Sequence, residues 1–294
     1  MFKYKNVVVV VNTHSRAGKK NFSQTKSILK QNNITVSHYH KIRKPSKIDK
    51  VMMQIMKDKV DLLILGGGDG TISTVVDYLA YKDTVLGLLP LGTSNSFVRS
   101  LKIPLDLNEA INVIIKGKTK KVDLGMINND YFANTANIGL SALIAKNVSR
   151  EIKRKFGRMG YIMAGFYHFM KHVAFDVIII TDKEKLSFKA LEIIIANGRY
   201  QNGVRIAPTS DVANNNITLM VVKGEDKMDL IKLWTRALLK KSIDLKNVVT
   251  LTNQNFYIET FPHKRVDVDG EITTKTPIKV SVASQSLKVR VPQK

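Results

Sequence analysis

Three stretches carry residue types and spacings that could do chemistry. In Gly66-Gly67-Gly68-Asp69-Gly70-Thr71, consecutive glycines let backbone N–H groups approach phosphate oxygens with no Cβ in the way, and a carboxylate is embedded among them. The run matches neither the phosphate-binding loop that ends in Lys-Ser/Thr nor the dinucleotide pattern Gly-x-Gly-x-x-Gly. Leu91-Gly92-Thr93-Ser94-Asn95 joins a glycine to short hydrogen-bonding side chains, suited to a nucleotide or to capping. Asp269-Gly270-Glu271 can be read in two ways. As an extended segment it projects both acids from one side, fit for a magnesium ion and a hydroxyl to be deprotonated; as a charged hairpin turn it carries no chemistry. Asn12 to Lys19 adds Ser15, Gly18 and Lys19, which suit a phosphate or a solvated basic turn equally. His168 and His172 have metal-compatible spacing but no accompanying Glu, so they read as packing or interfacial residues.

The elements that must position these residues follow from periodicity. Val7 to Val11 is a continuous β-branched run, the mark of a strand buried on both faces. Strands are expected at Thr35–Tyr39, Asp61–Leu65, Val85–Leu89 and Lys120–Met126. Helices are expected at Asn21–Gln31, Lys47–Lys57, Ile72–Ala80 and Leu105–Lys116, the last begun by Pro104. This alternation is the pattern of a mostly parallel α/β sheet, whose ligands bind beyond the carboxyl ends of the strands, where both glycine loops fall. Past residue 126 the chain turns β-rich. Strand-like runs lie at Phe175–Thr181, Ser187–Ile195, Ile217–Val222, Val248–Thr252, Asn255–Ile258, Ile278–Ser281 and Leu287–Val291, interrupted by helical patterns at Leu140–Lys171 and Asp229–Lys241.

The 294 residues hold 47 Lys plus Arg against 24 Asp plus Glu, a net charge of +23, which implies an anionic partner unless the composition is simply lysine-rich. Lys146, Arg150, Lys153, Arg154, Lys155, Arg158 and Lys171 cluster beside Tyr161 and Phe166. Leu230, Ile231, Leu233, Trp234, Leu238 and Leu239 alternate with Lys232, Arg236, Lys240 and Lys241 as a basic amphipathic helix. Both patches suit an acidic membrane surface. No recognised nucleic-acid motif or aromatic stacking platform is present, so no nucleic-acid partner is expected. No apolar run approaches the length of a membrane helix, and the absence of cysteine removes disulfides and thiolate chemistry, so a cytoplasmic, peripherally membrane-associated protein is expected.

Taken in order, Asn12 with its loop, Gly67-Gly68-Asp69-Gly70-Thr71, Pro90 to Asn95, Asp123-Leu124-Gly125, Phe132 to Gly139, Ala196-Asn197-Gly198, Ala207-Pro208 and Asp269-Gly270-Glu271 resemble the diacylglycerol kinase catalytic family, including the bacterial lipid kinases and more distantly sphingosine kinase. The resemblance spans nearly the whole chain. It implies an N-terminal α/β nucleotide-binding domain like that of NAD kinase and phosphofructokinase (residues 1–125, with 285–294 returning to it) and a β-rich, sandwich-like C-terminal domain (126–284) for the lipid and the catalytic acids. It further implies ATP as phosphate donor and Mg2+ as cofactor, with Asn12, Ser15, Gly67, Gly68, Asp69, Gly70, Thr71, Gly92, Thr93 and Asn95 around the nucleotide. Asp69, Asp123 and Asn214 would serve the metal, Asp269 would be the general base and Glu271 would assist it. Two positions depart from the family: Ser96 and Asn214 stand where carboxylates are common. An ATP-dependent kinase of a lipid alcohol such as diacylglycerol is the expected function; an NAD kinase-like enzyme and a non-catalytic sensor on a decayed kinase fold are the alternatives. A homodimer is compatible with any of them.

Overall fold

The computed structural model describes residues 3–13, 18–147 and 167–293. The elements in order are β1 (Val7–Asn12), α1 (Gly18–Gln31), β2 (His38–Ile42), α2 (Ile48–Ile55), β3 (Leu62–Gly67), α3 (Asp69–Leu79), β4 (Val85–Pro90), α4 (Ser96–Ser100), α5 (Leu107–Lys116) and β5 (Lys118–Ile127). Then come β6 (Asp130–Phe132), β7 (Thr135–Gly139), α6 (Leu140–Asn147), β8 (Phe175–Ile180), β9 (Lys185–Ala196), β10 (Tyr200–Gln201), β11 (Val204–Arg205) and β12 (Ile217–Lys223). The chain closes with α7 (Met228–Leu238), β13 (Val248–Asn253), β14 (Asn255–Phe261), β15 (Arg265–Val268), β16 (Glu271–Lys275) and β17 (Ile278–Val291).

β1 lies between β2 and β3, and β4 flanks β3, all parallel. Val7, Val9, Val10 and Val11 are fully buried, as a β-branched run covered on both faces must be. The antiparallel strands form the second half, with the ladder β16-β15-β7-β9-β8-β14 running into β17. This half buries Ile138, Ile193, Ile195, Phe256, Val266 and Val280 on one face. On the other face, α6 and α7 cover Ile194, Met220 and Val222. The α/β first half and the sandwich-like second half agree with the fold class expected from sequence.

Several boundaries move for local reasons. α5 starts at Leu107, not beside Pro104, because the Asp106 carboxylate accepts the N–H groups of Asn108 and Glu109 at 2.9 and 3.0 Å. β2 starts at His38, three residues later than its composition suggests, where pairing with Val8 begins. The two runs at Ile278 and Leu287 are one 14-residue strand, interrupted by a bulge between Ala283 and Leu287 where Gln285 takes a positive φ. Its first part pairs with β14 and β5; beyond the bulge it continues along β5, and Val289 pairs in parallel with Leu86 of β4. Of the expected helix Leu140–Lys171, α6 and the helical residues 167–171 are seen. The cluster Arg150, Lys153, Arg154, Lys155 and Arg158 with Tyr161 and Phe166 lies outside the described residues, as does Ser15.

Candidate active site

The two glycine loops leave the carboxyl ends of β3 and β4, neighbouring parallel strands with Gly67 paired to Pro90. They touch backbone to backbone. A Cβ on Gly92 would meet the Gly68 Cα at 2.3 Å, so only glycine fits there. A Cβ on Gly67 would meet the Thr71 side chain at 2.6 Å, so Gly67 serves the turn from strand into helix; Gly70, by contrast, faces open space. Thr71 Oγ1 accepts from Asn12 Nδ2 at 3.0 Å, which ties the first strand's exit to the same turn.

Asp69 opens α3, yet its carboxylate reaches across to the second loop. Oδ2 accepts the Ser96 N–H at 3.0 Å and Oδ1 the Phe97 N–H at 3.2 Å, so it caps the short α4 from outside. The residue in the cap position itself, Asn95, is buried, has φ 49°, and makes no side-chain cap. Its amide instead closes its own loop: Oδ1 accepts from Gly92 N and Nδ2 donates to Gly92 O, both at 3.0 Å. Asn95 thus shapes the loop, and Thr93 is left exposed at its rim.

Asp269 and Gly270 are the central residues of the two-residue turn between β15 and β16, with φ of 47° and 97° and Val268 paired to Glu271. The extended reading of this segment is therefore replaced by the hairpin reading, because both residues have left-handed backbone. The turn is nonetheless chemically distinctive. The Asp269 carboxylate accepts three consecutive backbone N–H groups, from Ala133, Asn134 and Thr135, at 2.8, 3.0 and 3.1 Å. Burial pushes its carboxyl up to about 6; the three N–H bonds pull against that, and the charge of Asp69 adds to the rise. The turn acid of one half and the glycine-loop acid of the other are therefore electrostatic neighbours. Glu271 is exposed on the far side of the turn.

The remaining acid and amide of the expected metal set are elsewhere. Asp123 is buried and bridges two loops, Oδ2 accepting from Asn215 N and Oδ1 from Gln285 N, both at 2.7 Å. Asn214 is exposed, and its amide oxygen accepts from Asn216 N at 3.2 Å. Asp123 and the Asn214–Asn215 turn lie together, joined by the Asn215 N–H, while Asp69 is held at the glycine loops, and no group of three or more His, Cys, Asp or Glu among the described residues could hold a metal ion. The donor set fits a dication in a narrower way. A magnesium ion is commonly held by one or two carboxylates plus substrate phosphates, and Asp69, at the glycine loop with lone pairs beyond its two cap bonds, is the carboxylate that suits it.

Sequence reading missed two buried acids. On β15, β7 and β9, Asp267, Asn137 and Glu192 lie on one face, since Asp267 pairs with Asn137, Asn137 with Ile194, and Gly139 with Glu192. Burial pushes Asp267 up to about 7, helped by the charge of Asp269; Asp267 Oδ1 and Asn137 Oδ1 are buried without partners. Burial likewise pushes Glu192 up to about 7, although it accepts the Ser141 N–H at 3.1 Å and so caps α6. The available signal was a single acid inside the apolar run Leu191 to Ile195.

The two halves meet at α4. Ser96 Oγ accepts the Gly203 N–H at 3.1 Å, from the tip of the β10–β11 hairpin, and Ser100 Oγ accepts the Arg199 N–H at 3.2 Å. Asn197 Nδ2 donates to the carbonyls of Asp123 and Ala133, joining β5 to the segment that cradles Asp269.

Residues 6–127 match the diacylglycerol kinase catalytic domain, and residues 134–291 match the YegS C-terminal NAD kinase beta sandwich-like domain. A diacylglycerol kinase of Staphylococcus epidermidis is 30% identical over 241 residues, covering 81% of this chain and 76% of that protein. One of Staphylococcus aureus is 31% identical over 225 residues, covering 76% and 71%. An uncharacterized protein of Synechocystis is 31% identical over 236 residues, 78% of this chain but only 54% of the relative's length. Among solved structures, a diacylglycerol kinase of Bacillus anthracis superposes with a TM-score of 0.81 at 25% identity, covering 99% of this chain and 98% of that one. With both halves matched in order, the chain belongs to the diacylglycerol kinase family of lipid kinases.

Proposed function

We propose that the chain transfers the γ-phosphate of ATP to the hydroxyl of a lipid alcohol, with diacylglycerol, the substrate in its relatives' names, as the first acceptor to test. The observation that carries this reading is the Asp269 carboxylate, buried in a cradle of three backbone N–H groups and within electrostatic reach of Asp69 at the glycine loops. One acid belongs to the glycine loops, the other to an N–H cradle. With a carboxyl held near 6, Asp269 is ionised at neutral pH yet basic enough to take the acceptor's proton as the oxygen attacks phosphorus. The three N–H donors fix its orientation and keep the charged form accessible despite burial. The glycine loops supply backbone donors and the first turn of α3 for the phosphates. A magnesium ion, when bound, would neutralise phosphate charge and be held through Asp69. Glu271, exposed beside the turn, is assigned to the rim of the acceptor cleft.

Anionic membrane surfaces are the partner that goes with a lipid substrate and a charge of +23. In α7, Leu230 and Leu233 are buried and Trp234 packs against the core, so Met228, Ile231 and Leu238, with Leu239 just past its end, are what that helix offers a membrane beside Lys232 and Arg236. No helix among the described residues is long and apolar enough to cross one.

The test is ATP-dependent phosphorylation of diacylglycerol in mixed micelles as a function of pH, for wild type and Asp269→Asn. Asp269→Asn should lower kcat by roughly 10² to 10⁴ with ATP affinity little changed. Wild-type kcat/KM should fall as pH drops below about 6, because protonation removes the base. Equal turnover by the variant would remove Asp269 from the reaction.

A further inference from the structure

Away from the glycine loops, a cavity of about 180 Å³ lies between α6 and the connection from β14 to β15, lined by Gly139, Ala142, Leu143, His263, Lys264 and Arg265. Its charged lining is entirely basic. None of the three basic side chains forms an ion pair with a described carboxylate. Lys264 is partly buried, and desolvation holds its ammonium below the ordinary range; the ammonium lies over the Phe175 ring, 5.2 Å from its centroid. A cation drawn out of water with no acid beside it gains from an arriving anion. The N-terminus of α6 is not what would bind that anion, since Glu192 already takes the Ser141 N–H there.

The connection is fixed from below. Thr260 and Thr276 are buried, their hydroxyls lie 2.6 Å apart, and the Lys264 N–H reaches both, at 3.0 and 2.9 Å. The Thr276 N–H in turn donates to the Lys264 carbonyl at 2.9 Å. On this anchored base, the connection presents Phe261, 46% exposed, beside exposed Pro262 and with the His263 ring 5.9 Å away. Basic side chains around a cavity, an apolar wall of Ala142 and Leu143, and an outward aromatic together match the two-part requirement of a lipid interface: charge plus an apolar foothold. A soluble anion would have no use for Phe261.

We propose that this cavity binds the phosphodiester head group of an anionic phospholipid in a bilayer, with Lys264 and Arg265 on the phosphate and Phe261 entering the interface. β15 begins at Arg265 and leads straight to Asp269 at its other end. The four-residue strand spans about 13 Å, so a head group held here sets the acceptor cleft against the membrane surface. The site is separate from the phosphate-transfer machinery, and its readout is binding, so it stands or falls independently of the kinase reading.

The experiment uses the whole chain and phosphatidylcholine vesicles with and without phosphatidylglycerol. Lys264→Gln with Arg265→Gln should weaken association with the phosphatidylglycerol vesicles by roughly 30-fold. Lys57→Gln with Lys59→Gln, the same loss of charge on exposed residues of the N-terminal half, should change it by no more than about twofold, as expected for screened charges. Lys264→Arg should bind as wild type, and melting curves check that every variant is folded. A single tryptophan placed by Phe261→Trp in a Trp234→Phe background should be quenched by brominated phosphatidylglycerol; if that background is unfolded, Phe261→Trp is compared with wild type by difference. Equal weakening by the two double variants, no weakening by the first, no quenching at position 261, or displacement of the protein from vesicles by inorganic phosphate at constant ionic strength would each overturn the proposal.

Discussion

Asp69 shows how one carboxylate can be committed before any ligand arrives. Its two oxygens cap Ser96 and Phe97, so it sets the distance between the glycine loops as well as the charge within them. Asp69→Ala should therefore lose about 1 to 2 kcal/mol of stability in urea titration along with ATP binding, whereas Asp69→Asn, with one acceptor left, should keep more of the stability than of the binding. The buried pair Asp267 and Glu192 makes a different prediction. Both have folded values near 7, above ordinary carboxyl values, so the folded state holds their protons more tightly. Their contribution is fully present below about 4 and is lost as pH rises through about 7. Asp267→Asn, which mimics the protonated form, should raise stability relative to wild type at pH 8, by less at pH 5, and change it little below about pH 4, measured by urea midpoints. A ΔΔG independent of pH would show that Asp267 titrates normally. Ser96 and Asn214, the departures from the family, accept hydrogen bonds from Gly203 N and Asn216 N. If Asn214 nonetheless stands in for a metal carboxylate, Asn214→Asp should lower the magnesium requirement of lipid phosphorylation. Asn214 is exposed, and its turn is bonded to Asp123 through the Asn215 N–H, so a lowered requirement would put the ion beside Asp123, and an unchanged one would remove Asn214 from the metal set.

At the scale of elements, the first glycine loop yields a matched pair of substitutions. Gly67→Val drives a branched side chain into Thr71 and should lower the melting temperature itself. Gly70→Ala adds a methyl group to open space, and should leave melting unchanged while weakening ATP binding if phosphate occupies that space. Calorimetric melting with an ATP-binding isotherm separates the two. This also marks what the sequence could and could not reveal. The buried valine run, the glycines at strand ends and the acid in each loop were legible, because strand burial and glycine geometry are local properties. That Gly67 belongs to packing and Gly70 to the open face was not, since it depends on where Thr71 lies. Likewise Asp-Gly reads as a hairpin turn from two residues alone. The cradle of Ala133, Asn134 and Thr135 that makes the turn acid distinctive comes from more than a hundred positions away. Asp123 was legible as a special acid but not as a brace, because its partners at Asn215 and Gln285 are joined to it only by the fold.

Across the whole molecule, the serine acceptors of α4, the Asp123 brace and the strand β17 bind the α/β half to the half that carries Asp269. β17 is the most consequential of these. Leu287, Val289 and Val291 belong to the core of the first half, and Val289 pairs with Leu86 in the middle of its sheet. A fragment ending at residue 127 should therefore lack a cooperative urea transition, while addition of a peptide covering Leu287 to Val291 should restore part of its structure by circular dichroism. During synthesis the same arrangement imposes an order of events. The ribosome delivers the glycine loops early, yet the sheet beneath them waits on residues made more than 150 codons after β5, and until then β4 exposes a side of its backbone that any extended chain could pair with. The newborn first half thus carries an open sheet edge until its own late strand is made.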